Sequence, residues 1–509
     1  MLALASLDRT GEAPLQTQLY ADLRRSILAG RIAAGSRLPP TRRFAAELGV
    51  SRNTVAGAYD RLLAEGYLEA RVGDGTYVAR ALPDDLLHAG RASAGLGRTG
   101  QRGPAQPRLG TATASETDLA RALATGWRAF HPGIPDVAAF PRQDWARLLA
   151  RVARRAESAL LGYGDPAGYR PLREAITAYL GAARGVVCDP DQVIVVAGSQ
   201  QGIHLAARVL LGPGDTAAVE DPGYFGARRA LRHAGARLLP IPVDADGIDP
   251  GPGDVNLVGA RLAYVTPSHQ FPLGATMSLA RRLRLLDWAR RTQGWIVEDD
   301  YDGEFRYAGR PLPALQGLDE AGRVVYVGTF SKVLAPGLRL GYLVAPRGLV
   351  DAFVAARAVE GISPPSLDQA ALATFITDGH FGRHIRRMRT RYAERQQTLV
   401  DAVQRLGKGL VATSGTEAGI HLIGWLPEGC DDGAVARRSR ETGVMALAVS
   451  AFTLGPAGRP GLVLGFAAPS DAEIVEAVPR LCEAVEHTLR RSSNEVGRVH
   501  RPDSSGRLA

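Results

Sequence analysis

Apolar positions in the first 80 residues keep a helical period and then give way to a short alternating one. Residues 14–29 carry Leu15, Leu19, Leu23 and Ile27 at a spacing of four, one face of a helix. After the breakers Gly30 and Gly35, a short helix is expected from Thr41, read as its N-cap, through Phe44, Ala45 and Leu48 to Gly49. Ser51 caps a third helix that runs to about Ala64 and turns Val55, Tyr59, Leu62 and Leu63 inward. Residues 67–72 and 76–78, on either side of Gly73-Asp74-Gly75, read as a hairpin. Residues 81–124 lose periodicity and fill with Gly, Ala, Ser, Arg and Pro, the composition of a flexible linker. From residue 125 to 490, strand-like apolar runs alternate with amphipathic helices, which predicts an α/β sheet domain. The polar stretch 491–509 is expected to be disordered.

Composition narrows the class. With 45% hydrophobic and 22% charged residues the chain reads as globular, and no long uncharged apolar run predicts a membrane span. Residues 1–10 lack the basic end and apolar stretch of a secretory signal. Cys188, Cys430 and Cys482 lie far apart, without metal-ligand spacing, which suits a reducing cytoplasm and argues against a disulfide frame or a zinc site. A net charge of +9 permits a nucleic-acid partner without establishing one. Lysine occurs only at Lys332 and Lys408, every other basic residue being arginine. Genome composition explains the bias, yet a lysine kept inside a loop motif invites a chemical role. Lysine forms Schiff bases and arginine does not.

Helix, tight turn at Gly49, helix is helix-turn-helix spacing, and the hairpin after it is a wing. The third helix opens Ser51-Arg52-Asn53-Thr54, side chains suited to base edges in a major groove, since Arg forks onto guanine and Asn onto adenine. Arg42 and Arg43 on the preceding helix are placed to hold phosphates. A small helical bundle with solvated arginines would show the same spacing. The segment also resembles the GntR winged-helix domain through Gly35-Ser36-Arg37-Leu38-Pro39, residues 48–55, Glu65-Gly66-Tyr67 and residues 73–78. That resemblance implies DNA contacts at Arg42, Ser51, Arg52, Asn53, Thr54 and the wing residue Gly75.

Three further motifs make sense together around one anionic aromatic aldehyde. The apolar run 192–196 leads through Ala197-Gly198-Ser199-Gln200 into a helix whose free N–H groups suit a phosphate, a weak signal alone. The strand 295–301 ends in Glu298-Asp299-Asp300-Tyr301, where α/β sheets place ligands; a carboxylate there would keep a pyridine nitrogen protonated, although an N-capping cluster reads the same. The strand 324–328 precedes Thr329-Phe330-Ser331-Lys332 and then Gly337-Leu338-Arg339. Lys332 is the Schiff-base candidate, with Thr329, Ser331 and Arg339 as phosphate ligands.

With Tyr163-Gly164-Asp165-Pro166, Glu220-Asp221-Pro222-Gly223-Tyr224 and residues 266–274 added, residues 125–490 resemble a fold-type I aminotransferase domain, a large mixed sheet with a smaller α/β part. Joined to a GntR head, the whole chain resembles the MocR family of regulators. The resemblance implies pyridoxal 5′-phosphate (PLP) on Lys332, Asp299 on the pyridine nitrogen, Tyr301 on the ring hydroxyl and Tyr224 stacked on the ring. It further implies Ser199, Gln200, Ser331 and Arg339 around the phosphate, and a homodimer in which Tyr163 or a neighbour reaches the partner's phosphate. Three departures stand out. Phe271-Pro272-Leu273-Gly274 replaces the Asn-Pro-Thr-Gly of aminotransferases, and residues 462–466 lack their late carboxylate-binding arginine. Position 226 is Gly where GABA-responsive members carry arginine, so GABA is not the expected effector. The expected protein is a cytoplasmic regulator that binds an operator of two half-sites and senses PLP, an amine or an amino acid. The PLP-synthesis regulators of the family are one candidate subgroup. The rival readings are an aminotransferase with an accessory DNA-binding head, and a regulator whose PLP is structural.

Overall fold

The computed structural model describes residues 7–9, 13–71, 74–80, 82, 128–308, 313–361, 364–456 and 458–499, with backbone alone from 492. It divides into two compact units, residues 1–108 and 109–509. Apart from residue 82, the expected linker 81–124 lies outside the described residues, as do Val72 and Gly73 of the wing.

The first unit has helices α1 (Leu15–Leu28), α2 (Thr41–Leu48) and α3 (Arg52–Ala64), then an antiparallel hairpin of β1 (Leu68–Arg71) and β2 (Gly75–Val78). Leu19, Leu23 and Ile27 meet Phe44, Val55, Ala58, Tyr59 and Leu62 in one buried core, which Leu68 and Val78 close. Leu15 and Leu63, expected inside, are half-buried at its rim. Thr41 is not the cap of α2. Pro40 takes that place with φ −55° and ψ 142°, and its fixed φ sets the non-helical entry one residue before the hydroxyl. Gly49 ends α2 in the left-handed region at φ 62°. Ser51 does cap α3, its hydroxyl accepting from the Thr54 N–H at 3.1 Å.

The second unit is built on a mixed eight-stranded sheet. Its strands are β3 (Val193–Val196), β4 (Thr216–Asp221), β5 (Arg237–Asp244), β6 (Gly247–Ile248), β7 (Leu262–Val265), β8 (Trp295–Asp300), β9 (Val324–Thr329) and β10 (Gly341–Val344). They lie in the order β3-β10-β9-β8-β7-β4-β5-β6. The run from β9 to β5 is parallel, while β10 is antiparallel to both neighbours. β3, β7, β9 and β10 are buried at every position, as expected where helices cover both faces. Parallel pairing sends the carboxyl ends of β4, β7, β8 and β9 to one edge, where an open α/β sheet holds ligands. A three-stranded antiparallel sheet of β11 (His421–Trp425), β12 (Leu447–Ala448) and β13 (Gly461–Gly465), in the order β11-β13-β12, forms the smaller part. The last helix, Asp471–Val499, overturns the expected disorder of residues 491–499. Ile474, Val478, Leu481 and Val485 bury its first half, and a helix already nucleated by packing extends at little further cost. Residues 500–509 lie outside the described residues.

Candidate cofactor site and nucleic-acid interface

The three consecutive carboxylates at the end of β8 part company because side chains alternate across a strand. Glu298 accepts from the Leu315 and Gln316 N–H groups at 2.8 Å each. Asp300 accepts from Arg184 Nε at 2.8 Å and Tyr326 OH at 2.7 Å. Asp299 turns the other way. Its Oδ2 accepts from Tyr264 OH at 2.6 Å, and its Oδ1 is buried with no partner among the described residues. Burial pushes the Asp299 carboxyl up to about 7 against the Tyr264 hydrogen bond, with Asp300 and Asp302 adding to the rise and Lys332 opposing it.

Lys332 follows β9 and donates from Nζ to the Gly133 carbonyl at 2.7 Å. Burial lowers its pKa, and the charges of Asp302 and Asp299 oppose that shift, so amine and carboxylates share one low-dielectric pocket. Gly133 is required there: at φ 74°, a Cβ on it would come within 2.9 Å of Nζ. Thr329 Oγ1 accepts from the Ser331 N–H at 3.1 Å, shaping the turn that presents the lysine.

The helix Ser199–Leu210 begins after Gly198, which sits at φ 97°, and Ser199 and Gln200 occupy its first turn. Arg339, itself left-handed at φ 50°, lies beside this helix start, since a Cβ on Gly198 would be 3.9 Å from its Nη1. Tyr224 donates to Gln200 Oε1 at 3.1 Å, and Gln200 Nε2 donates to the Gly226 carbonyl at 2.9 Å. With Gln200 and Tyr224 so placed, a side chain at position 226 would have to displace them. A Cβ there would meet Gln200 Oε1 at 2.3 Å and the Tyr224 ring at 2.5 Å. Tyr301 donates to the His269 carbonyl at 2.9 Å. Phe271 stands edge-on to Tyr224, Tyr301 and Phe452, with ring centres 5.8, 6.1 and 5.0 Å apart. β13, where the late arginine was missed in the sequence, is buried along its whole length, and Val463 joins Phe225, Ile423, Leu447, Val449 and Phe452 in an apolar cluster.

Most of the expected ligands thus gather at one sheet edge and two neighbouring turns. Tyr163 is fully exposed and has no hydrogen bond to the others among the described residues. Sequence reasoning missed Gly133, Tyr264, His269 and Asp302. A tyrosine inside the apolar run of β7 and the Asp302 one place beyond Tyr301 were the available signals; Gly133 had none.

In the first unit, Arg42, Ser51, Arg52, Asn53 and Gly75 are exposed and Thr54 is half-buried, while Val55 behind them fills the core. Arg42 and Arg52 make no ion pair with any described residue, whereas Arg43 is held by Glu47 at 2.8 Å. Arg37, not singled out from the sequence, lies against the wing: a Cβ on Gly75 would be 3.1 Å from its Nε. No helix among the described residues is long and apolar enough to cross a membrane.

Comparison with known proteins agrees with both halves. The gntR family of bacterial regulatory proteins matches residues 15–78, and the family Aminotransferase class I and II matches residues 135–481. The kynurenine aminotransferase of Pyrococcus horikoshii, solved in complex with PMP, superposes with a TM-score of 0.69 at 29% identity, covering 75% of this chain and 96% of its own. The pyridoxine biosynthesis transcriptional regulator PdxR of Corynebacterium glutamicum is 30% identical over 92% of this chain and 96% of its own length. The probable rhizopine catabolism regulatory protein MocR of Rhizobium meliloti is 44% identical over 94% of this chain and 95% of its own length. The chain belongs to the MocR family, transcription regulators that combine a GntR helix-turn-helix with a domain of aminotransferase fold.

Proposed function

We propose that the chain is a ligand-responsive, DNA-binding regulator of the cytoplasm that holds PLP at Lys332 and signals through it. One observation carries the reading: the Lys332 amine shares a buried pocket with Asp299, whose Oδ1 has no partner among the described residues. A buried acceptor left open costs about 1–3 kcal/mol, and the protonated ring nitrogen of PLP is a donor of the right kind. PLP supplies a carbonyl for the lysine and an electron-withdrawing ring. Around it, Tyr301 serves the ring hydroxyl and Tyr224 the ring face. Ser199, Gln200, Thr329, Ser331 and Arg339, with the helix start at Ser199, serve the phosphate. The signal is PLP itself or an amine or amino acid exchanging at Lys332. Greater identity to the rhizopine regulator than to the pyridoxine one favours a ligand other than the cofactor.

In the head, Arg52, Asn53 and Thr54 read base edges from the capped start of α3, with Ser51 fixing that start. Arg42 holds phosphate, and Gly75 lets the wing approach the backbone. A homodimer supplies two heads for two half-sites, and the exposed Tyr163 reaches the phosphate site of the partner.

The second reading, a working aminotransferase with an accessory head, draws on the retained Lys332 and Asp299. Against it stands β13, whose apolar side chains offer no cation to clamp a substrate carboxylate. Spectra of the purified protein with candidate amines, taken beside binding to the genomic DNA it captures, decide between them. A ligand that changes both spectrum and DNA binding without turnover supports the regulator; turnover without any change in DNA binding supports the enzyme.

A further inference from the structure

Tyr301 is served by a buried pair that the reading above does not use. We infer that His269, held in place by Asp302, is a positioning residue for the Tyr301 hydroxyl, its N–H making that hydroxyl a stronger donor to the ring oxygen of PLP. The inference rests on the cofactor reading.

His269 Nδ1 lies 3.0 Å from Tyr301 OH and 3.0 Å from Asp302 Oδ2. A carboxylate only accepts, so Nδ1 carries the ring proton. His269 Nε2 is buried and has no partner among the described residues, so the ring's one N–H is shared between Tyr301 and Asp302. The ring packs closely against two glycines. A Cβ on Gly419 would lie 2.0 Å from its Cε1, and one on Gly274 would lie 3.2 Å from its Nε2. Asp302 is anchored in turn by the Ile420 N–H at 3.2 Å. A phenol oxygen that receives an N–H bond gives up its own proton more readily, because hydrogen bonds in a chain polarise one another. The hydroxyl now donates to the His269 carbonyl and is free to rotate toward another acceptor while its oxygen keeps the Nδ1–H bond. Phe271, edge-on to Tyr301, offers no donor on its side of the ring, which leaves donor strength there to the phenol.

The other titratable groups facing the pair are His421, Lys332, Asp299, Asp300, Glu220 and Tyr307. The His421 ring centre is 4.7 Å from that of His269, and its Nε2–H goes to the Pro272 carbonyl at 2.9 Å. Burial, and after it the charges of Asp302, Asp299, Glu220 and Asp300, raise the Tyr301 pKa, and the His269 N–H works against them. All of them are unchanged in the variants below, so their contributions cancel in the comparison.

The sign follows. A well-bonded ring oxygen competes less for the proton it shares with the Lys332 nitrogen, so that nitrogen releases its proton at lower pH. Losing the His269 donor therefore raises the pH midpoint of the visible absorption of the PLP-loaded full chain, by about one unit going by neighbouring hydrogen-bond effects. His269→Leu and His269→Gln should both show this rise. His269→Asn, whose amide nitrogen stands where Nδ1 does, should restore most of the wild-type midpoint. In a Tyr301→Phe background His269→Leu should add nothing. An unchanged midpoint in both loss variants, an equal shift in the Tyr301→Phe background, or an Asn variant no better than Leu would overturn the inference. A wild-type chain without any visible band would overturn the cofactor reading, and this inference with it.

Discussion

The two units present the residues proposed for their functions in opposite ways. The head keeps Arg42, Arg52, Asn53 and Gly75 on its surface, backed by a core that includes Val55 and Leu62. The second unit buries Asp299, Tyr301, His269 and Asp302, and burial raises the pKa of Asp299 and Tyr301 and lowers that of Lys332. The difference follows from the ligand each must meet. A surface that meets DNA works by long-range charge and by side chains left free to fork onto bases. A pocket that takes one small aromatic aldehyde needs water excluded and its polar groups aimed beforehand, at a cost in desolvation.

The contrast breaks most sharply at Lys332. Lys332→Ala should abolish the visible absorption band and the borohydride-fixed adduct, while Lys408→Ala, on an exposed lysine paired with Glu486 at 3.2 Å, keeps both. A band that survives Lys332→Ala would remove the lysine from the site. Catalysis is expected to be almost absent. Lacking a charged carboxylate clamp costs about 2–4 kcal/mol of orientation and binding, or about thirty- to a thousand-fold in rate. Steady turnover of common amino-acid and oxo-acid pairs at about one per second or faster would return the chain to the aminotransferases.

On the head, Arg52→Ala or Asn53→Ala should cost about 1–3 kcal/mol of operator binding and relax sequence preference. Arg42→Ala should weaken all sequences alike and lower the salt slope by about one. Competition titrations at two salt concentrations separate the two; uniform loss from Asn53→Ala would take base reading away from α3. A smaller effect sharpens the electrostatic half of the contrast. Asp299 titrates near 7 in the folded chain and about 3.9 when unfolded, so its burial removes stability as pH rises from about 4 to 7. An opposing ring N–H relieves that loss. PLP loading should therefore raise Tm more at pH 8 than at pH 5, by about 1 °C for each kcal/mol regained in a unit of this size. An equal gain at both pH values would separate Asp299 from the ring nitrogen. Smallest of all, Ser51→Ala should cost about 1 kcal/mol by leaving the Thr54 N–H without its cap, readable as a lower denaturation midpoint of the head.

The head was legible because its signals are local: cap, turn glycine and apolar face lie within a few residues of one another. The exception, Thr41, failed where Pro40 imposed its own backbone geometry on the helix entry. The pocket was legible only at residues with distinctive chemistry in a motif, such as Lys332 and Asp299. Tyr264 and Gly133 reach it through strand pairing and chain return, which no short window of sequence records. Strand alternation alone was enough to separate Asp299 from Glu298 and Asp300. The last helix outran its sequence signal because packing on its first half carries the polar turns beyond.

The central claim, that the state of the Lys332 pocket governs what the head binds, has a direct measurement. Genomic fragments captured by the full chain are titrated with PLP-free and PLP-loaded wild-type protein, with and without the amine that changes its spectrum, and with Lys332→Ala under the same conditions. The account predicts that loading or the amine changes affinity or footprint for wild-type protein and changes neither for Lys332→Ala. Identical binding in every state, or full-strength binding by a chain lacking residues 1–80, would contradict it.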